Sequence, residues 1–326
     1  MKKYLLFLPP LFGLIASEPP TFCFGIGPGY RQDGHTSVFY EDEIPSIDST
    51  YENLKVPLIE ALMEFFFYNF RLHLSADYGW IRGGRQDSKL NLIVGPAIVI
   101  PNFFHTDIDS GRVFDSVGTL GYEFSIISNR GLLFIPLGGY GIHYQGIKND
   151  GTSPDPFRTT NFAGIPNSVL DVSISFSKLS RTWYRPFLGL ALFSHFLNRY
   201  DFEIAYAYHF LHLRQTQTIS PDFFSFLTGV GIGVDNNVVI DTKISTGGAF
   251  GQQAKARFAF YITPSWKLSL AGNYYYFTTK VRKLRLNQTL TNNLTAPPTI
   301  TDTTERLPFK GRWRTYSIFL EILYCY

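Results

Sequence analysis

The chain ends in Tyr316-Ser-Ile-Phe-Leu-Glu-Ile-Leu-Tyr-Cys-Tyr326, and this stretch decides the fold. Because successive side chains of a β-strand point to opposite faces, one face of this segment is wholly apolar. That face consists of Tyr316, Ile318, Leu320, Ile322, Tyr324 and Tyr326. A water-exposed edge strand of this kind would invite aggregation. In a bacterial outer membrane it is the expected closing strand of a transmembrane β-barrel, with lipid outside and aromatic residues at the interfaces.

The N-terminus is typical of an exported protein. Two lysines follow Met1, residues 4–16 form a short apolar run, and the small residues Ala16 and Ser17 end it. This is the organisation of a secretory signal peptide. We therefore predict a signal peptide over residues 1–17 and a single outer-membrane barrel domain over residues 18–326. The later sequence contains no apolar run of about 20 residues that would predict a spanning helix.

The composition and the spacing of turn residues favour an all-β, antiparallel, up-and-down barrel. The chain contains 31 Phe, 20 Tyr and 4 Trp among its 326 residues, and its net charge of +3 argues against a nucleic-acid partner. Ten alternating segments predict strands over 24–40, 54–68, 70–82, 113–127, 131–145, 183–195, 199–213, 253–262, 266–280 and 313–326. Short connections alternate with long ones, which is the bacterial pattern of periplasmic turns and extracellular loops.

The predicted short turns lie at Asn69 and at residues 128–130, 196–198 and 263–265, where Asn, Ser and Pro favour turns. Two further segments, 170–176 and 230–234, also alternate apolar with polar or Gly residues. Counting them as wall strands would give twelve strands. We prefer ten, with these segments as extensions above the membrane.

The same alternation predicts a charged lumen. The charged residues expected to project inward are Arg31, Asp33, Glu60, Glu64, Arg71, Asp77, Glu123, Asp201, Glu203, Lys255, Arg257, Lys267 and Glu321, together with His35, His73, His143 and His209. The interior of a barrel of eight to ten strands is only just wide enough for side chains to fill it. Opposite charges in that space should pair, because an unpaired buried charge is costly. Ten strands favour a plugged lumen, and twelve would favour a narrow pore.

Six sequence blocks resemble the outer membrane proteins of the Protochlamydia type. They are residues 29–33, 76–81, 113–124, 136–143, 183–189 and 313–318, among them Pro136-Leu-Gly-Gly-Tyr-Gly-Ile-His143 and Trp183-Tyr-Arg-Pro-Phe-Leu-Gly189. The blocks cover most of the mature chain in the order of that family. The resemblance implies an outer-membrane barrel of chlamydia-like bacteria, with porin-like members known, and a ten-strand layout similar to that of omptin proteases.

The omptin-like layout raises the question of proteolysis. Omptins use a pair of Asp residues and an Asp-His pair across the barrel mouth to activate water. Here His105-Thr-Asp-Ile-Asp109 lies in a long loop, but residues 214–252 contain no His to complete the second pair. We therefore expect no catalytic residues and no enzymatic activity. His209 and His212 fall on opposite faces of a strand, so we also expect no metal site and no cofactor.

Charges in the loops and the sequence ends bear on partners. Residues 41–53 are acidic, whereas residues 281–312 are predominantly basic. These loops could form a latch between themselves or a basic rim that meets lipopolysaccharide or a host surface. The aromatic C-terminus resembles the signal read by the barrel assembly machinery. We expect outer-membrane lipid and lipopolysaccharide as partners, with other envelope proteins or a host surface as further candidates.

The two cysteines lie at the two ends of the barrel. Cys23 precedes the first strand, and Cys325 is the penultimate residue of the last one. Barrel closure makes these strands neighbours, and both ends face the oxidising periplasm. We predict a disulfide across the seam, with crosslinking to other envelope proteins as the alternative.

These features lead to one preferred function and two alternatives. The first is a structural or surface-interaction role in the envelope, with a plugged and charged lumen. The second is a porin for small solutes, and the third, disfavoured by the missing His, is an omptin-like protease. The sequence identifies no solute and no ligand.

Overall fold

The computed structural model describes residues 21–41, 44–94, 98–108, 110–127, 131–149, 157–160, 169–197, 199–227, 230–244, 249–292 and 299–326. The expected signal peptide over residues 1–17 lies outside these ranges. Within them, no helix has the length and apolar character needed to cross a membrane.

The described residues form sixteen antiparallel β-strands. They are β1 (Thr21–Glu41), β2 (Ile44–Phe67), β3 (Phe70–Ile81), β4 (Arg85–Val94), β5 (Ile98–Asp107), β6 (Ser110–Tyr122), β7 (Phe124–Ile127), β8 (Leu132–Asn149), β9 (Phe157–Thr160), β10 (Val169–Phe196), β11 (Tyr200–Phe210), β12 (His212–Leu227), β13 (Val230–Ile244), β14 (Ala249–Thr263), β15 (Trp266–Asn292) and β16 (Thr299–Cys325).

The strands close into a barrel with ten positions in its wall. The ring runs β1, β2, β3, β6 with β7, β8, β10, β11 with β12, β14, β15 and β16, and β16 returns to pair with β1. This confirms the prediction of a ten-strand antiparallel barrel. Residues 170–176 extend β10, and residues 230–234 lie in β13, which pairs with β12 and β15 beyond the end of β14. The twelve-strand alternative is therefore wrong.

The outer face carries two aromatic belts with aliphatic residues between them. The belt near the periplasmic turns contains Phe67, Tyr68, Phe70, Phe124, Phe196, Trp266, Tyr324 and Tyr326, and the outer belt contains Tyr30, Tyr78, Trp80, Phe114, Tyr140, Tyr206, Tyr208, Phe250 and Tyr316. Exposed aliphatic residues such as Leu74, Leu190 and Ile318 lie between the belts. This is the lipid-facing pattern of an outer-membrane barrel. It includes all six outward residues predicted for the last strand.

The strands extend farther from the membrane than the sequence pattern predicted. Residues 281–292 and 299–312, expected as part of a loop, lie in β15 and β16, which remain paired as far as Asn292 and Thr299. The loop expected at residues 41–53 is likewise mostly strand. Thr recurs in residues 281–292 and 299–312, and such β-branched side chains favour a pleated surface even where no strict apolar alternation marks it.

Local backbone features position the inward side chains. Asn53 has a φ of 53°, and the pairing of β2 with β1 shifts register beside it. Because of this irregularity, Leu54 and Tyr51 both point inward although they are three residues apart. Asn tolerates this left-handed conformation better than most residues. Of the predicted turns, the one at Asn69 is present, with Tyr68 also at positive φ, and Pro264 and Ser265 connect β14 to β15. Residues 128–130 and Asn198 lie outside the described ranges.

The first and last strands meet at the barrel seam. Cys23 lies directly opposite Cys325 in the register of β1 and β16, and a disulfide joins the two residues. Both side chains are buried and face inward near the periplasmic opening. The bond links positions 302 residues apart, so it closes nearly the whole described barrel covalently.

We predict that replacing both cysteines, as Cys23→Ser with Cys325→Ser, lowers the free energy of unfolding by about 5 kcal/mol, because a long loop loses its constraint in the unfolded state. Urea titration of vesicle-reconstituted protein measures the change. A reducing agent provides the control: it should destabilise the unsubstituted protein and leave the stability of the double variant unchanged. Larger species on non-reducing gels, or two titratable thiols in the untreated protein, would contradict the seam disulfide.

Candidate functional site: the charged lumen

A first layer of charged side chains crosses the lumen near the periplasmic end. We call this the lower charge layer, formed by Glu64, Arg71, Glu203, Arg257 and Glu321. Arg257 contacts Glu64 from Nη1 at 2.5 Å and Glu321 from Nη2 at 3.0 Å. Arg71 contacts Glu203 at 2.6 Å and Glu64 at 3.2 Å. Because these residues come from five wall strands, the chain of ion pairs ties distant parts of the wall together.

A second layer lies at the level of the outer aromatic belt. This upper charge layer consists of Arg31, Asp33, Asp115, His143 and Arg185. Asp115 is its centre: Arg31 donates to it, Arg185 Nη2 lies 2.7 Å from Oδ1, and His143 Nδ1 lies 2.8 Å from Oδ2. Arg31 Nε also donates to Asp33 at 2.6 Å. Charged hydrogen bonds of this kind are stronger than neutral ones.

Neighbouring residues shape the upper charge layer. Gly141 lies opposite Arg185 in the register of β8 and β10, and a Cβ at this position would lie 3.1 Å from the Arg185 Nε. Gly141 therefore leaves the space that the guanidinium occupies. Gln145 donates to Asp33 at 2.9 Å, and Thr315 donates to the other Asp33 oxygen. Asp33 is thus held from three directions.

Aromatic side chains fill the lumen beside the upper charge layer. The rings of His143 and Trp313 stack with centroids 4.3 Å apart, and Phe277 packs on Trp313 at 4.7 Å. The Arg31 guanidinium lies 5.1 Å from the centroid of the Trp313 ring. Trp183 packs on Phe277 at 5.7 Å, and it and Trp313 are each only 1% exposed. These rings therefore fill the part of the lumen in which they lie.

An apolar cluster, which we call the apolar cap, lies above the charges. It is built from Tyr51, Leu54, Val56, Ile81, Ile108, Val113, Ile147 and Leu179, all buried. Arg181 adjoins the cap, with its Cζ 5.8 Å from the centroid of the Tyr51 ring. Arg181 and Tyr51 lie farther from the periplasmic turns than the roughly 9–11 residues that a tilted strand needs to cross the bilayer.

Titratable groups beside the apolar cap are dry. Burial raises the pKa of Tyr51 to about 12 and lowers the pKa of Arg181 to about 10. Burial, and then the nearby Arg181 cation, hold the pKa of His35 well below its usual range. His35 is therefore neutral at pH 7 in this environment. None of the Arg181 nitrogens has a hydrogen-bond partner among the described residues.

Two spaces lie inside the barrel, one on each side of the lower charge layer. A central cavity of about 90 Å³ lies between the layers and is lined by residues that include Glu60, His73, Asp77, Lys255 and Tyr275. That volume holds a few water molecules. A wider periplasmic vestibule of about 410 Å³ lies below the lower charge layer. Arg71 and Glu203 line both spaces, so the lower charge layer lies between them.

The vestibule contains a further ion-pair cluster around Asp201. His195 Nδ1 lies 2.7 Å and Lys267 Nζ 3.3 Å from the Asp201 carboxylate. Tyr261 donates to the same carboxylate at 2.9 Å. This cluster lies at the periplasmic opening, where the vestibule is wide, so it does not block the lumen.

The structure places every charge predicted for the lumen inside the barrel. Buried side chains are those of Arg31, Asp33, Glu60, Glu64, Asp201, Glu203, Arg257, Lys267 and Glu321, and half-buried ones are those of Arg71, Asp77, Glu123 and Lys255. Glu123 lines the vestibule, and Asp77 and Lys255 line the central cavity. Asp201 and Lys267 belong to the vestibule cluster rather than to either layer.

Sequence reasoning missed three central residues, Asp115, Arg181 and Arg185. Asp115 shares a strand face with Val113 and Val117, and Arg185 shares one with Trp183 and Phe187. These mostly apolar faces hid the charges. The two faces of β6 differ little in polarity, so alternation gave only a weak signal there. The inward face carries Asp115, Val117, Thr119 and Gly121, and the outward face carries Phe114, Ser116, Gly118 and Leu120.

The residues considered for other chemistry do not assemble into a site. Asp107 is exposed at the end of β5, whereas Asp109 and the side chain of His105 lie outside the described residues. His209 is buried and His212 is half-buried on the opposite face, with the His209 ring bonded to Gln253 at 3.1 Å. The described part of the chain holds no group of three or more His, Cys, Asp or Glu that could bind a metal ion. Most side chains of the acidic and basic loops also lie outside the described residues.

The ten-strand wall, the two aromatic belts and the side-chain-filled lumen define an outer-membrane β-barrel protein. The chain belongs to the Protochlamydia outer membrane protein family, whose model matches residues 26–325. This confirms the resemblance found in the sequence. No curated protein matches the sequence.

Among solved structures, the fold is similar to that of the outer membrane protease OmpT from Escherichia coli, with a TM-score of 0.67 and 9% sequence identity over 96% of this chain and 99% of that one. The P. putida toluene transporter TodX matches with a TM-score of 0.33 and 8% identity over 93% and 90% of the two chains. At such low identity the likeness to OmpT shows the barrel fold alone.

We predict different outcomes for two inward-facing aspartates that lie opposite each other on β3 and β6. Asp115→Asn removes the acceptor charge of Arg31 and Arg185 and should lower the free energy of unfolding by about 3–5 kcal/mol. Asp77 lies directly opposite Asp115 and makes no ion pair within the described chain. Asp77→Asn should therefore be neutral or stabilising, because it removes a like-charge contact.

Urea titration of both variants in vesicles, followed by Trp fluorescence, tests this pair. The substitutions are isosteric, and the two residues are neighbours, so each variant controls for the other. Equal destabilisation by both would show that Asp115 has no special role in the upper charge layer.

Proposed function

We propose that this protein is a closed outer-membrane barrel with a structural or surface-interaction role in the cell envelope. Membership of the family and the barrel fold establish the outer-membrane class. The observation that carries the finer proposal is the blocked lumen: two charge layers and an apolar cap follow one another along the barrel axis. Its extracellular strands, rather than a conducting pore, then carry the function.

The exposure of the lumen charges supports this proposal over a porin. In a water-filled channel the lining charges are hydrated. Here the side chains of Glu64 and Arg257 are 2% and 8% exposed, and those of Arg31 and Arg185 are 3% and 1% exposed. All four of these charges are paired, and each would otherwise cost several kcal/mol in a dry interior. The pairs thus serve to fill and hold the barrel.

The proposal includes no catalysis. A hydrolytic mechanism of the omptin type needs an Asp-His pair facing a pair of Asp residues, and residues 214–252 contain no His. The protease named for the similar E. coli structure shares 9% identity with this chain. We propose as partners the outer-membrane lipid with its lipopolysaccharide, the barrel assembly machinery, and other envelope proteins or a host surface.

Planar-bilayer recording of the refolded protein tests the closed lumen. We expect no stable conductance steps, because ions cannot pass the layers and the cap. Insertion is checked separately by the heat-dependent band shift of the folded barrel on gels. Stable, ion-selective steps from folded protein would favour the porin alternative and contradict the proposal.

The variant Glu64→Ala with Arg257→Ala sharpens the recording. It removes the central contact of the lower charge layer and joins the vestibule to the central cavity. We expect this variant to remain silent, because the upper charge layer and the apolar cap still block the lumen. Conductance in this variant alone would place the whole barrier in the lower layer.

A further inference from the structure

Four positive side chains surround a groove on the outer wall of the barrel. The groove has a volume of about 420 Å³ and is lined by residues of β3, β6, β8 and β10, including Arg82, Arg112, Lys148 and Lys178. All four cations are exposed, and none makes an ion pair within the described chain. Among the described residues that line the groove, none is acidic.

The register of the strands concentrates the charge. Lys148 and Lys178 lie directly opposite each other on β8 and β10. Like charges in this arrangement destabilise a sheet unless an anion lies between them. Arg112 lies opposite Gly146 on the adjoining pair of strands, and Ser110 lies opposite Lys148. The small residues Ser110 and Gly146 thus lie among the long cations.

Gly146 gives the groove its depth. A Cβ at this position would lie 2.8 Å from the Tyr144 hydroxyl, so the absence of a side chain lets the Tyr144 ring lie across the floor. The Tyr144 hydroxyl and the Ser110 hydroxyl add neutral hydrogen-bonding groups among the cations. Several cations with small polar groups between them suit an anion that has multiple oxygens, such as a phosphate.

The position of the groove indicates where that phosphate comes from. Trp80 forms one edge of the groove and belongs to the outer aromatic belt, which marks the level of the lipid headgroups. Below the belt, the same strands present Leu74, Leu120 and Leu190 to the acyl chains. A lipid seated here places its phosphates among the cations and its chains along this apolar wall.

We propose that the groove binds a phosphorylated glycolipid of the outer leaflet, through phosphate groups held by Arg82, Arg112, Lys148 and Lys178. The inference rests on the proposed function for its lipid partner, whereas the site itself lies on the outer wall and is independent of the lumen. It fixes one side of the barrel to the lipid layer at the membrane surface.

Native mass spectrometry of the full refolded protein with diphosphorylated lipid A tests the proposal. The triple variant Arg112→Gln, Lys148→Gln and Lys178→Gln should reduce the bound fraction at least about tenfold, since each cation near an anionic headgroup adds substantially to binding. The matched control is Lys280→Gln with Arg312→Gln and Arg314→Gln, which removes three exposed cations from β15 and β16. The control should change binding less than about twofold.

A second variant separates shape from charge. Gly146→Leu fills the floor of the groove without altering any charge, and it should also reduce lipid binding. Lipid A without its phosphates should bind to the unsubstituted protein as weakly as diphosphorylated lipid A binds to the triple variant. Each variant is first shown to fold by its heat-dependent band shift.

Three results would overturn the proposal. Equal losses in the triple variant and its control would indicate general electrostatic attraction. Unchanged binding by Gly146→Leu would show that the groove is not the seat of the lipid. A site for free phosphate would be indicated by two results together: millimolar inorganic phosphate displaces the bound lipid, and lipid A without its phosphates binds as well as the diphosphorylated form.

Discussion

The pairing of charges inside a narrow lumen is the constraint on which the rest of this structure depends. The outward side chains of ten strands face lipid, so strand alternation sends the other half inward. A barrel of this size has only enough interior space for side chains to fill. Most inward charges therefore have a partner, because removing one partner of a buried pair leaves a costly isolated charge; Arg181, beside the apolar cap, has none among the described residues. Asp115, with two guanidinium groups and an imidazole around it, is the clearest result of that requirement.

The same constraint explains how the wall is held together across its width. Arg257 and Glu64 are separated by 193 residues along the chain, yet they form one contact through the lumen. The lower charge layer thereby acts on β2 and β14, which are not neighbours in the wall. At the seam, the disulfide between Cys23 and Cys325 joins the first and last strands, which are neighbours in the wall. The barrel is thus fastened both across its interior and along its closing edge, which favours a rigid support for the extracellular strands.

Much of the fold could be predicted from the sequence, because lipid outside and a filled lumen inside impose a strict alternation. That alternation identified the wall strands, and it placed residues such as Arg257 and Glu64 inward. Where the constraint weakens, prediction weakened too. The extracellular extensions of β15 and β16 lack strict apolar alternation, so residues 281–312 were expected as a loop. Asp115 and Arg185 lie on mostly apolar inward faces, and their meeting depends on which strands lie across the lumen, which no local pattern encodes.

We propose that the space between the two charge layers is sealed from both sides of the membrane, and thiol labelling tests this closure most directly. Ala205 lines this space, and the described chain holds no free cysteine to react in the background. The variant Ala205→Cys, folded in vesicles, should resist a charged, membrane-impermeant maleimide and react fully after unfolding. Arg85→Cys, at an exposed extracellular position, should react at once. Labelling at position 205 as fast as at position 85 in the folded protein would contradict the closed lumen.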